Sequence, residues 1–185
     1  EDQEFWKESF RRWFVGMLAC ALQDEQVNHL VIILYSEQGK GKSTWIRRLL
    51  PPQWREYYRN GMVNPDNKDH QLLLSTHLII NMEEFEGARI GDLAGLKRVI
   101  TQESVTERKA YDMQAYNFIR HASFIASTNN RQCLQDIGGN RRFLPSSIIT
   151  LDYRTPVNYE GIYAQAAKLA EPTFVIPGAY TTEVI

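Results

Sequence analysis

Apolar residues open the chain at helical spacing. Trp6, Phe10, Trp13, Phe14, Met17, Leu18 and Leu22 fall on one side, with Lys7, Arg11 and Arg12 on the other. A period near 3.6 predicts an amphipathic helix of about five turns, whose aromatic stripe packs on a core rather than lying on a membrane surface. The pattern then changes. Leu30 to Tyr35 is a continuous apolar run bounded by polar residues, as a strand buried on both faces of a parallel sheet requires. Ser36 to Gly41 follows as a glycine-containing loop, and Ser43 to Leu50 reads as a helix stopped by Pro51-Pro52. Residues 53–67 are polar, aromatic and turn-rich and read as irregular. Asp69 to Ser75 predicts a short helix, and Thr76 to Met82 a second buried strand.

Ile90, Leu93, Leu96, Val99 and Ile100 give another helical stripe. Residues 104–122 alternate charged and aromatic side chains, as a hairpin or long loop does. Ser123 to Ser127 reads as a third buried strand. Tyr159 to Ala170 closes the pattern as a helix with Ile162, Ala166 and Leu169 on one side. Strands alternating with helices predict an α/β fold with a parallel sheet flanked by helices. The expected division is an N-terminal helix packed on the core (1–29), the core itself (30–150), and a C-terminal helix with a tail (151–185).

Composition narrows the class without deciding it. With 43% hydrophobic and 23% charged residues, the chain is neither disordered nor fibrous, and its 185 residues suffice for one sizeable core. A net charge of −1 provides no global basic field, so any nucleic-acid contact must come from a local patch. Cys20 and Cys133 stand apart, and His29, His70, His77 and His121 are scattered, so neither a disulfide framework nor a metal motif is expected. A reducing cytoplasm suits this usage. No apolar run is long enough to span a bilayer. The chain starts at Glu1 without Met and reads as a piece of a longer protein.

The strongest chemical signal is Ser36-Glu37-Gln38-Gly39-Lys40-Gly41-Lys42-Ser43-Thr44, which nearly matches the phosphate-loop pattern G-x-x-x-x-G-K-[ST]. Gly39 and Gly41 would let successive backbone N–H groups, with Lys40 and Thr44 in the same loop, face phosphate oxygens. Lys42 would reach the outer phosphates, and the Ser43 hydroxyl would ligate Mg²⁺. Ser36 stands where the pattern has its first glycine. The loop lies between a buried strand and a helix, the context the pattern demands, so the expectation is a P-loop nucleoside triphosphatase binding ATP or a similar nucleotide.

Three further segments end strands or carry arginines. Glu83 and Glu84 follow an apolar strand. There one carboxylate, assigned to Glu83, can hold Mg²⁺, and the other, Glu84, can polarise the attacking water. Asn129, after the third strand, can orient that water or sense the terminal phosphate, although Asn129-Asn130 also suits an ordinary turn. Arg141 and Arg142 follow Gly138-Gly139-Asn140 and suit transition-state phosphate charge, often supplied from a neighbouring subunit. Lys97, Arg98, Arg108, Lys109 and Arg120, interleaved with Tyr111, Tyr116 and Phe118, fit single-strand binding as well as they fit a plain solvated hairpin.

Taken in order, these segments resemble the virulence-associated protein E family. The features shared are the tryptophan-bearing helix, the phosphate loop, Lys68-Asp69, Glu83-Glu84, Arg108-x-x-Tyr111, Thr128-Asn129 and Gly139-Asn140-Arg141-Arg142-Phe143. The similarity runs from the first helix to about residue 150. Where that family tends to have Arg-x-Pro-Tyr-Gly, this chain has Arg108-Lys109-Ala110-Tyr111-Asp112. The resemblance implies an AAA+-type ATPase related to the superfamily-three helicases. It would be the motor of a helicase or primase-helicase-like replication protein of a phage or mobile element. It also implies single- or double-stranded DNA as partner, with contacts from Arg108, Lys109 and Tyr111, and self-association into a ring such as a hexamer. Two other readings of the same loop stay open: a small-molecule kinase, and a non-catalytic nucleotide switch that recruits a partner.

Overall fold

The computed structural model describes residues 2–83, 90–108, 114–130 and 141–171. Helix α1 (Asp2–Leu22) leads into β1 (Val31–Tyr35), and α2 (Lys42–Arg47) follows the glycine loop. Next come β2 (Tyr58–Asn60), α3 (Lys68–Thr76), β3 (Ile79–Met82) and α4 (Ile90–Thr101). The hairpin β4 (Ser104–Arg108) and β5 (Ala115–Ile119) precedes β6 (Ser123–Thr128), β7 (Phe143–Ser147) and α5 (Tyr159–Ala170). Five strands form one sheet in the order β2-β3-β6-β1-β7, every pair parallel, while β4 and β5 form a separate antiparallel ribbon.

The apolar runs are continuous because both faces of the sheet are covered. Ile32, Leu34, Ile79 and Ile125 pack with residues of α1, α2 and α5 on one face. Val31, Ile33, Ile80, Met82, Phe124 and Ala126 pack with Leu74 of α3 and Leu96, Val99 and Ile100 of α4 on the other. Each Val, Leu, Ile, Phe or Met among them contributes about 1.5–3 kcal/mol when fully buried. Trp13 is fully buried, and its indole N–H donates to the Phe124 carbonyl at 2.7 Å, tying α1 to the middle of the sheet.

Two strands escape the apolar pattern. β2 lies within the stretch expected to be irregular, and β7 carries Pro145. Both are edge strands. β2 has three residues with only Tyr58 partly covered, so it has no apolar run to show. A proline lacks the N–H a central strand must donate, but an edge strand has one side without a neighbour. Pro145 accordingly sits in register with Ile33 at the far edge.

Two helices also depart from expectation. α2 ends at Arg47 rather than Leu50, and a 3₁₀ turn (Pro52–Tyr57) follows with Pro51 as its cap. On α5 the buried residues are Tyr163, Ala166 and Ala170, and Ile162 is exposed. The Tyr163 hydroxyl donates to the Leu49 carbonyl at 2.9 Å, and its ring packs edge-on against Phe14. A tyrosine that reaches a polar partner with its tip turned the helix away from the face its aliphatic residues suggest.

Arg120, counted above among the basic residues of the hairpin segment, is fully buried and unavailable to a nucleic acid. Its guanidinium donates to the carbonyls of Val99, Ile100 and Gln102 at the end of α4, to Ala122 and to Asn28, with the Phe124 ring 5.0 Å away. Burial holds its pKa down at about 10. The carbonyls that end a helix need donors, and Arg120 supplies them where water does not reach. No helix among the described residues is long and apolar enough to cross a membrane.

Candidate functional site

β1, β3 and β6 run parallel, so the segments that follow them leave from one edge of the sheet, where open α/β sheets bind ligands. The segment after β1 turns back on two glycines in the left-handed region, Gly39 at φ 82° and Gly41 at φ 80°. Gly39 needs only that freedom, since a Cβ there would meet nothing within 4 Å. Gly41 also needs the space: a Cβ would stand 2.5 Å from Cε1 of Tyr153.

Lys42 begins α2 and is only 9% exposed. Its ammonium donates to Ser36 O and Ser36 Oγ, each at 2.9 Å, to Glu37 O at 3.2 Å and to Asn129 Oδ1 at 2.7 Å. One side chain thus joins the end of β1 to the end of β6, its neighbour in the sheet. Ser36 is buried, and its hydroxyl donates to the Glu37 carbonyl at 3.0 Å. The residue that departs from the glycine pattern is therefore a direct holder of the lysine, a role that pattern matching hides. Lys40 and Thr44 are exposed, and Ser43 is half-buried one residue into α2.

β3 delivers Glu83 to the same edge, half-buried. Its Oε1 accepts from Asn81 Nδ2 at 3.3 Å, and Asn81 also donates to Asn60 Oδ1 at 3.1 Å and to the Tyr58 hydroxyl at 3.2 Å. Tyr58 in turn donates to Asn60 Oδ1. Asn81 is fully buried on a strand that otherwise reads apolar, and its own Oδ1 has no hydrogen-bond partner among the described residues. Burial pushes the Tyr58 hydroxyl up to about 12, and the Glu83 charge acts in the same direction. β2, invisible in the sequence, supplies the polar wall beside Glu83.

The other expected site residues are not gathered here. Arg142 immediately precedes β7, and its carbonyl accepts from Val31 N at 2.8 Å, at the start of β1. Arg141 is exposed beside it. Both lie at the amino edge of the sheet, separated from the glycine loop by the length of β1, which at about 3.3 Å per residue is roughly 15 Å. Arg108 ends β4, opposite Ala115 in the ribbon. The ribbon packs against α3 and exposes Tyr116 and Asn117. Glu84, Lys109 and Tyr111 lie outside the described residues.

The fold and this edge define an α/β protein whose parallel sheet presents a glycine loop with a buried lysine after β1 and, two strands away, a carboxylate after β3. The chain belongs to the virulence-associated protein E-like family: the family's domain profile matches residues 1–173. Two apo structures of the NrS-1 C-terminal region are similar to it in shape. One has 21% identity and a TM-score of 0.49, and the other 20% and 0.47. In each, 92% of this chain is matched to 44% of the longer one, so the chain spans less than half the length of those structures. No curated protein matches it.

Proposed function

We propose that this chain is a Mg²⁺-dependent, ATP-hydrolysing P-loop domain of the AAA+ type, the motor of a DNA replication protein of a phage or mobile element. The observation that carries the reading is the Lys42 ammonium, fixed between Ser36 and Asn129 at the mouth of a loop with two left-handed glycines. A lysine so held stands where phosphates would be cradled by the N–H groups of Gly39 to Thr44. The oxygens of Ser36, Glu37 and Asn129 keep the ammonium oriented until phosphate oxygens replace some of them. Family membership supports the link to mobile-element replication.

The donor set fits a hard divalent cation. Ser43 offers a hydroxyl and Glu83 a carboxylate, both oxygens of the kind Mg²⁺ takes along with water and phosphate. The metal supplies charge neutralisation on the transferring phosphate. Asn81 holds Glu83 toward that role, and Glu84 is assigned to the attacking water. Asn129, bonded to Lys42, would sense the terminal phosphate through the same ammonium. Arg141 and Arg142 would act on a neighbouring copy in a ring such as a hexamer. The ribbon would meet single- or double-stranded DNA, with Arg108, Lys109 and Tyr111 as the contacting residues.

Phosphate release measured without any acceptor, with and without single-stranded DNA, tests this directly. Hydrolysis that Lys42→Ala abolishes supports the motor. Transfer only to an added small-molecule acceptor would make the chain a kinase. Tight binding without single-turnover cleavage would make it a switch.

A further inference from the structure

Tyr153 is not part of the phosphate loop, yet it touches it. The ring lies so close to Gly41 that any side chain there would collide with Cε1 and Cδ1, at 2.5 and 2.7 Å from an added Cβ. Tyr153 belongs to the link between β7 and α5, and that link is pinned on both sides of the ring. Ile148 N donates to Tyr35 O at 2.7 Å at the end of β1, and Arg48 of the turn after α2 donates to Thr155 O at 2.6 Å. Between them Asp152 Oδ1 accepts from the N–H groups of Arg154 and Thr155, both at 3.0 Å. Hydrogen bonds from Thr155, then Arg154, hold this exposed carboxyl down at about 2. Further along, the Tyr159 hydroxyl donates to Arg48 O at 2.8 Å. The backbone that carries the ring is therefore tied down on both sides of it.

The two ends of the loop meet different partners. Asn129, at the end of β6, meets Lys42, while Tyr153, in the link that follows β7, meets Gly41. Lys42 leans toward β6, with its shortest bond to Asn129. A nucleotide whose outer phosphates met Lys42 would have room for its other end only along the loop, and the aromatic group that touches the loop at Gly41 is Tyr153. There it would meet this half-buried ring, with the Arg154 guanidinium 5.6 Å from the ring centroid. An aromatic face paired with a guanidinium is a general recipe for holding a nucleobase by stacking. Arg154 is exposed, so its side chain is free of the packing that fixes Tyr153 and can shift to cover a base.

We propose that Tyr153, with Arg154, forms the nucleobase platform of the site, against Gly41 of the glycine loop. The inference rests on the nucleotide reading above and adds the element that tells a nucleotide from bare polyphosphate. Calorimetric titration of the parent, Tyr153→Ala, Tyr153→Phe and Lys42→Ala proteins with Mg·ATP and with Mg·tripolyphosphate separates the two claims. Tyr153→Ala should weaken ATP about 5- to 150-fold, the range for loss of one stacked base, and leave tripolyphosphate unchanged. Tyr153→Phe should bind like the parent, and Lys42→Ala should lose both ligands. If Tyr153→Ala does not fold, Tyr153→Leu, which still covers Gly41 but has no aromatic face, carries the same expectation. Unchanged ATP affinity, or equal weakening of both ligands, would overturn the platform while leaving the nucleotide reading intact. A parent protein that binds neither ligand would overturn both.

Discussion

The Lys42 ammonium and the Asn129 amide oxygen stand 2.7 Å apart across 87 residues of sequence, one from the loop after β1 and one from the end of β6. Removing the ammonium therefore does two things. It takes away the charge proposed for the phosphates, and it unties two neighbouring strand ends. Lys42→Ala should abolish hydrolysis and nucleotide binding. Because its acceptors sit at a loop where water can replace the lost donor, the stability loss should stay near 1–2 kcal/mol, a few degrees in unfolding midpoint. Parent-like hydrolysis would remove the basis of the proposed function.

Gly39 and Gly41 look interchangeable in the sequence but should differ on substitution. Both carry the left-handed backbone, which costs a residue with a Cβ about 1–2 kcal/mol. Only Gly41 adds a collision, with Tyr153. Gly39→Ala should lower the midpoint by roughly 2–8 °C, and Gly41→Ala by clearly more. Adding Tyr153→Ala to the Gly41→Ala protein should recover the difference, a coupling that a double-mutant cycle reads. Equal losses for the two single variants would show that Tyr153 yields without cost.

How much of this was legible follows from what each residue's environment writes into the sequence. The three central strands were visible because burial on both faces forces unbroken apolar runs such as Val31–Leu34 and Phe124–Ala126. β2 and β7 were not, since an edge strand tolerates Arg59 and even Pro145. The glycine loop and Lys42 were legible as a motif. Ser36 read only as a departure from the pattern, because the pattern records which residue is usual and says nothing of what a hydroxyl can accept. Arg120 read as a surface cation because charge in a sequence carries no sign of burial. The Gly41–Tyr153 contact joins segments that no periodicity links.

Arg120 offers a stability test independent of activity. Its guanidinium fills five hydrogen bonds to backbone carbonyls in a space closed to water. A lysine has three donors on a point-like head, so Arg120→Lys orphans at least two of those carbonyls, at about 1–3 kcal/mol each. The unfolding midpoint should fall by at least about 5 °C. An unchanged midpoint would mean that water enters and satisfies the end of α4.

The two neighbouring glutamates should separate by substitution. Glu84→Gln keeps size and most hydrogen bonding, so it should still bind Mg·ATP and fail to cleave it. Glu83→Gln removes the carboxylate that Asn81 holds, so its nucleotide binding should lose its dependence on Mg²⁺. Loss of binding in Glu84→Gln, with binding kept in Glu83→Gln, would exchange the two roles.

The arginines at the start of β7 give the test with the widest consequence. Arg142 is anchored beside Val31 at the amino edge of the sheet, and the glycine loop leaves from the carboxyl edge. A guanidinium reaches about 6–7 Å from its Cα by standard bond lengths, well short of the roughly 15 Å set by the length of β1. Neither Arg141 nor Arg142 can then serve the phosphates of its own chain without a large rearrangement. If one of them acts in hydrolysis, it must act on a neighbour, where a transition-state arginine typically contributes about 10³–10⁵ in rate. Replacing that arginine by Ala should lower turnover far more than nucleotide affinity. Specific activity of the parent should rise with protein concentration as copies associate. Mixing the arginine variant with Lys42→Ala protein should restore part of the activity, because the first keeps an intact lysine and the second an intact arginine. Turnover independent of concentration, with no recovery on mixing, would assign both arginines to structure alone.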